Sequence, residues 1–333
     1  MSKKIIIIDN SSLSYSGNDI DGTTLRGTET SLILLSEQFY KMGYMVDYCN
    51  EIKHNKTVNG VQYFNKNDID KNIIYDLAIA ISDANQLSKA TSIKKAVFSV
   101  SNQPIEKFLR KKQLIPFLKF KPTVITLCDY QYKKRSFFTS FFGKKTIPIT
   151  VDPKFLSVKI NLDYLPKKQV LYNIRSNRNL DRLIKIWIDK IFPYENNSKL
   201  YITPNLINYS DFLKSKNIFL RKIGSRKDMI NELNEYRALT YLGHKSDIFT
   251  LTAEEAIKLC LPVVTFGIGS LSERVEHNKT GFIANSDEEF AKFTIKLLND
   301  DNFYLDFKKN MFKKRNENNW SFIANEWIEF FFK

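Results

Sequence analysis

Short apolar segments that alternate with amphipathic helices constrain this chain more than any other feature. Residues 5–8 are four consecutive isoleucines, and residues 261–266 are apolar except for one threonine. Runs of this length without polar alternation are typical of strands buried on both faces of a parallel sheet. Helical apolar stripes follow at about 28–42 and at 180–191,. The pattern predicts an α/β protein of two doubly wound domains that face a cleft.

Composition restricts the partners of the chain without naming one. The net charge of +15 over 333 residues favours an anionic partner, and nucleic acid, a membrane surface and a phosphorylated substrate all fit,. Cys49, Cys128 and Cys260 lie far apart without a C-x-x-C, so we expect reduced thiols in the cytoplasm rather than disulfides or a zinc site,. Residues 5–8 are too short for a signal-peptide core or a membrane span,.

Two basic runs, residues 106–121 and 132–145, interleave Lys and Arg with Phe and Leu. Lysines beside exposed phenylalanines are typical of a segment that lies on an anionic bilayer. The alternative is that the phenylalanines belong to the core and the lysines are its solvated face. Nucleic acid is less favoured, since the chain has no aromatic RNA-binding signature and no helix-turn-helix pattern. Lys111, Lys112, Lys133 and Lys134 are the candidate membrane contacts.

Charged and glycine residues accumulate where strands are predicted to end. Gly267 and Gly269 follow the apolar segment 261–266, at the strand end where open α/β sheets bind ligands,. Arg175 and Arg178 lie in the turn after the strand predicted at 169–173, which favours an anion site,. The spacing of Thr252 and Glu255 predicts a capping box and a helix that begins at residue 253,.

The first domain offers a second helix start with anion-binding character. A loop of about seventeen residues follows the first strand, too long for a dinucleotide fingerprint and more typical of a functional lid. At its end, Gly27 and Glu29 begin the first helix, where backbone N–H groups could bind an anion,.

These residues carry a resemblance to the retaining glycosyltransferases of family four, which have the GT-B architecture. The segment from Glu255 to Val264 is similar to the family's E-A-x-x-x-G-x-P-V-V, with Cys260 in place of its glycine. Glu273 and the segment 279–282 resemble its P-E-x-V and K-T-G-F. The resemblance is specific over about forty residues and weaker over the rest of the chain.

The resemblance implies roles for individual residues. Glu255 looks like the glutamate that binds the nucleotide ribose, and Asp247 stands where the family usually has another glutamate on the donor sugar. Arg178 resembles the basic residue that binds the donor diphosphate, with Arg175 as its companion. His244 is either a donor contact or an ordinary loop residue. The donor-site candidates are Gly27, Arg175, Arg178, His244, Asp247, Thr252, Glu255, Gly267 and Gly269; Asp247, Glu255 and Arg178 are the catalytic ones.

On the acceptor side, the resemblance implies a role for Glu29, which corresponds to the glutamate of the family's G-G-x-E. Asn102 lies in the segment 99–103, where the family often has a histidine that this chain lacks. The implied domains are an acceptor domain over 1–155, a linker over 156–168, a donor domain over 169–305, and helices over 306–333 that pack back onto the first domain.

The implied activity is retaining transfer of a sugar from a nucleotide-diphosphate sugar to a lipid-linked or cell-surface polysaccharide. No D-x-D occurs in the predicted donor domain 169–305, so we expect neither a metal nor a cofactor, and no nucleic acid partner. The expected location is cytoplasmic, on the inner face of the cell membrane if the basic runs contact it. A sugar-nucleotide epimerase of the same fold and a basic membrane- or nucleic-acid-binding protein with a degenerate site are the alternatives.

Overall fold

The computed structural model describes residues 2–22, 25–175, 177–204, 209–222 and 224–333, with only the backbone for Arg226. Contacts between residues divide the chain into two compact units. Unit 1 contains Met1–Asp152 and Asn318–Lys333, and unit 2 contains Pro153–Glu317. Each unit has its own sheet with helices, in agreement with the predicted fold class.

Unit 1 contains an eight-stranded sheet in the order β3-β4-β2-β1-β5-β6-β7-β8. Its strands are β1 (Lys4–Ile8), β2 (Met45–Asn50), β3 (Lys56–Val58), β4 (Val61–Asn65), β5 (Ile74–Ile81), β6 (Thr91–Phe98), β7 (Thr123–Thr126) and β8 (Lys144–Thr146). All neighbours are parallel except β3, which pairs antiparallel with β4 at the edge. The four isoleucines that end β1 have no exposed surface, as the apolar run predicted.

The helices of unit 1 that precede unit 2 in the chain are α1 (Gly27–Lys41), α2 (Ile105–Arg110), α3 (Leu114–Phe120) and α4 (Asp129–Lys134). Short 3-10 helices occur at Gly17–Asp19, Ala84–Ser88 and Phe137–Thr139. Helix α1 ends before Gly43, whose φ of +89° is a left-handed conformation that favours glycine after a helix,. The predicted first helix is thus present within one residue at each end.

Unit 2 contains a six-stranded parallel sheet in the order β11-β10-β9-β12-β13-β14. Its strands are β9 (Gln169–Tyr172), β10 (Lys199–Ile202), β11 (Ile218–Leu220), β12 (Ala238–Thr240), β13 (Val263–Thr265) and β14 (Gly281–Ile283). Its helices are α5 (Pro153–Ser157), α6 (Leu180–Ile186), α7 (Asp211–Ser215), α8 (Arg226–Leu233), α9 (Leu251–Lys258), α10 (Leu271–Arg274), α11 (Asp287–Asn299) and α12 (Asp301–Lys313). Helix α6 continues as a π-helical turn over Trp187–Ile191.

The last helix, α13 (Trp320–Phe332), belongs to unit 1 although it follows unit 2 in the chain. Trp327 has no exposed surface and packs edge-on against Phe39 and Phe98, at 6.3 and 5.1 Å between ring centroids. The indole of Trp320 donates a 2.9 Å hydrogen bond to the carbonyl of Val151. Helix α12 belongs to unit 2, so the two C-terminal helices divide between the units.

Within the described part of the chain, no helix combines the length and apolarity that crossing a bilayer requires.

Replacing Trp327 by alanine should lower the free energy of unfolding by about 3–5 kcal/mol, because it empties a buried site between Phe39 and Phe98,. Urea denaturation followed by circular dichroism measures the change. Phe330→Ala on the same helix is the matched control, since that ring is 43% exposed and should cost less than about 1 kcal/mol,. Equal losses for the two variants would contradict the packing described for α13.

Candidate functional site

The topology of unit 2 indicates a candidate ligand site at the carboxyl ends of β9 and β12. These two strands are neighbours at the centre of the sheet, and the strand order runs in opposite directions from them. Loops that leave such a pair diverge to opposite faces and leave a crevice between them. The turn after β9 carries Arg175 and Arg178, and the turn after β12 carries His244 and Asp247. Four of the predicted donor residues, Arg175, Arg178, His244 and Asp247, therefore lie in the two turns that follow these strands.

Tyr172, the last residue of β9, organises the turn that follows it. Its hydroxyl lies 2.8 Å from the carbonyl of Arg175 and 3.0 Å from that of Arg178. The backbone N–H of Arg178 also donates to the carbonyl of Arg175 at 3.0 Å, which closes the turn. Burial and the nearby Asp247 carboxylate raise the pKa of Tyr172, so its hydroxyl stays protonated,. These hydrogen bonds fix the backbone of Arg178, and with it the point from which its side chain extends.

The turn after β12 is tied to the turn after β9 by Asn179. The Asn179 amide donates a 2.6 Å hydrogen bond to the carbonyl of Gly243. Gly243 has a φ of +94°, and Asn179 itself is left-handed with a φ of 64°,. Left-handed conformations are accessible to glycine and to asparagine at little cost, so these two residue types suit a tight junction between the turns.

Arg178 joins His244 and Asp247 in one polar cluster. Its guanidinium donates to Nδ1 of His244, and its Nε lies 3.6 Å from Oδ1 of Asp247. The Arg178 and Asp247 side chains are only 20% and 14% exposed, so each charge depends on the other for compensation,. The hydroxyl of Tyr241 donates to the second oxygen of Asp247, and burial together with this carboxylate raises the pKa of Tyr241.

The hydrogen bonds of His244 determine its tautomer. Nδ1 accepts from the backbone N–H of Ser246 at 3.1 Å as well as from Arg178, and both partners are obligate donors,. Nδ1 therefore carries a lone pair, and the ring proton of the neutral imidazole lies on Nε2. His244 thus presents a hydrogen-bond donor at Nε2, while Nδ1 holds Arg178.

The glycine turn after β13 packs directly on the turn of His244 and Asp247. Gly243 forms a parallel bridge with Ile268, and the N–H of Ser270 donates to the carbonyl of Asp247 at 3.0 Å. A Cβ on Gly269 would lie 2.4 Å from the carbonyl oxygen of His244, closer than any real Cβ contact. Gly267 and Gly269 both have positive φ, 65° and 75°. Glycine is required here because two backbone segments touch.

The structure corrects the predicted capping box at Thr252 and Glu255. Helix α9 begins at Leu251, two residues before the predicted start, and its N-cap is Thr250, with no side-chain cap. Thr252 and Glu255 lie inside the helix because the hydroxyl of Thr250 instead contacts the hydroxyl of Ser270 at 3.1 Å and anchors the helix start to the glycine turn. Glu255 therefore does not serve as a cap, and its half-buried side chain lies in the second turn of α9.

The remaining predicted residues lie in unit 1. Gly27 begins α1, and Glu29 is buried in its first turn, where Oε2 has no hydrogen-bond partner among the described residues. Asn102 follows β6 and its carbonyl accepts from Lys107 at 3.3 Å. The four predicted membrane contacts, Lys111, Lys112, Lys133 and Lys134, are all exposed.

Sequence reasoning missed the residues that position the cluster, namely Tyr172, Asn179 and Tyr241. Two signals were available for them. Tyr172 lies near the end of the strand predicted at 169–173, and Tyr241 lies near the end of the apolar segment 238–242. Asn179 stands beside Arg178 in a turn that favours left-handed residues,. Over the described residues, no three His, Cys, Asp or Glu side chains lie close enough to hold a metal ion.

Comparison with known proteins identifies the fold and a matching family. Residues 209–314 match the family model of glycosyl transferases group 1. The structure is similar to sucrose-phosphate synthase from Thermosynechococcus elongatus, with a TM-score of 0.71 and 13% identity over 99% of this chain and 98% of that one. It is also similar to a glycosyltransferase from Rickettsia africae, with a TM-score of 0.70 and 12% identity over 99% and 98%.

A third similar structure is Anabaena HepE in complex with UDP and glucose, with a TM-score of 0.65 and 15% identity over 98% of this chain and 99% of that one. No curated protein sequence matches the chain. The predicted GT-B fold is confirmed, and the match to glycosyl transferases group 1 confirms the predicted resemblance to glycosyltransferases.

Gly269→Ala should destabilise the protein by more than the strain of a left-handed alanine, because its Cβ would displace the carbonyl of His244. Gly43→Ala is the matched control: its φ is +89°, but nothing lies within 4 Å of its Cβ. In urea denaturation, the free energy of unfolding should fall by about 1–2 kcal/mol for Gly43→Ala and by about 3 kcal/mol or more for Gly269→Ala. Similar losses would show that the glycine turn does not press on the His244 turn.

Proposed function

We propose that this chain, whose residues 209–314 match glycosyl transferases group 1, transfers a sugar from a nucleotide-diphosphate sugar to an acceptor. The observation that carries the proposal is the cluster of Arg178, His244 and Asp247 at the switch point of the unit 2 sheet. A crevice at that point is where open α/β sheets bind nucleotides. UDP is bound in similar structures of TarM and HepE, so UDP-sugars are the first donors to test.

In this proposal Arg178 binds the donor diphosphate. A guanidinium has five N–H donors, so the contacts to His244 and Asp247 leave others for phosphate oxygens,. Arg175, exposed in the same turn, adds a second positive charge. Asp247 and the Nε2 donor of His244 contact the sugar hydroxyls, and Glu255 binds the ribose. The Tyr241 hydroxyl positions Asp247, because it occupies one carboxylate oxygen and fixes the direction of the other.

The proposed chemistry breaks the bond between the anomeric carbon and the diphosphate and forms a bond from that carbon to an acceptor hydroxyl oxygen. Negative charge develops on the leaving diphosphate, where Arg178 and the backbone N–H group of Gly269 stabilise it; the N–H of Gly267 donates to the Thr265 hydroxyl instead,. The acceptor attacks from the face that the diphosphate leaves, which retains the anomeric configuration. The departing phosphate oxygen takes the acceptor proton, so the reaction requires neither a protein base nor a metal.

We further propose that the acceptor is lipid-linked or part of a cell-surface polysaccharide, and that the protein works at the inner face of the membrane. The support is the exposure of Lys111, Lys112, Lys133 and Lys134 on unit 1, since cations near an anionic leaflet attract the protein to it,. Glu29 and Asn102, also in unit 1, are the proposed acceptor contacts.

Arg178→Gln and Glu255→Gln should each lower kcat/KM for a UDP-sugar by about 100-fold or more, because one removes charge stabilisation of the leaving group and the other a ribose contact. Release of UDP measures turnover, and circular dichroism checks that the variants fold. Arg182→Gln is the matched control. Arg182 lies four residues after Arg178 in the sequence, and its guanidinium pairs with Asp287 and stacks on Phe266.

If Arg178→Gln and Glu255→Gln both turn over the donor as the unaltered protein does, the proposed donor site is wrong. Product analysis without any acceptor separates the alternative chemistry: an epimerase changes the sugar of the nucleotide-sugar, whereas a transferase leaves it unchanged.

Turnover should be the same in the presence of excess EDTA and after addition of Mg²⁺ or Mn²⁺, because the charge of Arg178 and a backbone hydrogen bond stabilise the leaving diphosphate in place of a metal. The rate of UDP release with and without chelator is the measurement. A loss of about tenfold or more on chelation, restored by Mg²⁺, would overturn the metal-independent mechanism.

A further inference from the structure

Unit 1 exposes a set of large apolar side chains on three neighbouring elements. They lie on α2, on α3 and on the turn Phe137–Thr139, and we call them the insertion surface: Ile105, Leu109, Leu114, Ile115, Leu118, Phe137 and Phe138. Ile115 and Phe137 are 71% exposed, and Phe138 is 65% exposed. Side chains of this size gain free energy when they leave water, so a contiguous exposed set indicates an interaction site.

A series of contacting aromatic rings, from the buried Phe108 to the exposed Phe137, connects the three elements. Phe108 of α2 contacts Phe117 of α3 at 5.0 Å between centroids, and Phe117 contacts Phe141 at 6.1 Å. Phe141 in turn contacts Phe137 at 6.3 Å. The two basic runs of the sequence therefore form one surface, although the strand β7 separates them in the chain.

The turn that presents Phe137 and Phe138 is held rigidly. The buried guanidinium of Arg135 donates to the carbonyl of Thr139 at 3.0 and 2.7 Å and to the hydroxyl of Ser99 at 3.0 Å. Lys144 donates to the carbonyls of Tyr132 and Arg135 at 2.7 and 3.1 Å. Hydrogen bonds thus hold the backbone that carries the two exposed rings, so little backbone ordering is needed on binding,.

Positive charge surrounds the insertion surface. Residues 105–145 contain eleven Lys and Arg against two Asp and Glu, a net +9 of the +15 carried by the whole chain. A second copy of this chain would bring these like charges together, which opposes self-association through the surface. An anionic bilayer instead offers phosphate groups to the cations and hydrocarbon to the apolar side chains.

We propose that the insertion surface docks this protein on an anionic bilayer, with Ile115, Leu118, Phe137 and Phe138 inserted below the headgroups and the lysines in contact with lipid phosphates. The inference deepens the proposed function and rests on it, since a lipid-linked acceptor would be presented at this surface. It goes beyond charge attraction alone, because apolar insertion contributes binding that salt does not screen.

Co-sedimentation with vesicles of about 30% anionic and about 70% zwitterionic lipid tests the two contributions separately. Phe137→Ser with Phe138→Ser should weaken the partition coefficient about 10- to 100-fold at every salt concentration. Lys111→Gln with Lys112→Gln should weaken it about 10- to 30-fold at low salt and little at about 0.5 M salt. Controls are Ile93→Ser, 67% exposed on β6, and the pair Lys53→Gln with Lys56→Gln, both exposed; these controls should bind as the unaltered protein does.

Phe138→Trp gives a direct readout of depth, because Trp187, Trp320 and Trp327 are all buried in the protein. On vesicles the emission of the introduced indole should shift to the blue and should be quenched by lipids brominated on the acyl chain. Unquenched emission from the Phe138→Trp variant, or a Phe double variant that binds normally, overturns the insertion. Concentration-dependent dimers that the Phe double variant abolishes would instead identify a second copy as the occupant, and also overturn it.

The inference and the proposed function fail in different ways. The Phe double variant should keep unaltered UDP-sugar turnover with a water-soluble acceptor, because its residues lie outside the donor cluster. Vesicle binding without any nucleotide-sugar turnover would remove the proposed function and leave the docking surface. Nucleotide-sugar turnover without vesicle binding would remove the docking surface and leave the proposed function.

Discussion

The pairing of Arg178 with Asp247 is the constraint on which the candidate site depends. Both side chains are largely withdrawn from water, so neither charge is stable there without the other,. Because Asp247 and His244 follow β12 while Arg178 follows β9, their contacts also tie together the two turns that leave the switch point. The backbone of these two turns is fixed by three further residues, Tyr172, Asn179 and Gly269. Each of them contacts the backbone of a turn that carries one of the charged groups.

The sequence predicted the sheet and the approximate site for one physical reason, namely that apolar runs identify buried parallel strands whose carboxyl ends meet. Residues 5–8 and 261–266 predicted buried strands, and the turns that follow the strands of unit 2 contain Arg178, Asp247 and Gly269. The hydrogen bond from Tyr241 to Asp247 could not be predicted, since it depends on side-chain directions at the end of a three-residue strand. The capping box at Thr252 failed because Thr250 is held by Ser270, a contact that local spacing does not contain.

Local sequence also could not separate buried from exposed rings in the two basic runs of unit 1. Phe108 and Phe117 are core residues, whereas Phe137 and Phe138 are exposed, although all four occur among lysines and other phenylalanines. Helices α2 and α3 have six and seven residues, too few for a helical period to separate a buried face from an exposed one,. The interpretation of these rings as core therefore fits the first pair only, and the fold is needed to show which ring lies on which side.

The return of α13 to unit 1 has a consequence for how the protein is made. Lys94 donates to the carbonyl of Phe331 across 237 positions of sequence, and Trp327 fills the core beside Phe39. During vectorial synthesis the strands of unit 1 leave the ribosome early, yet their helical cover arrives only after all of unit 2 has been translated,. Unit 2, continuous in sequence, can complete its core first. The nascent unit 1 must meanwhile keep the apolar surface around Phe39 and Phe98 from self-association until its last helix arrives.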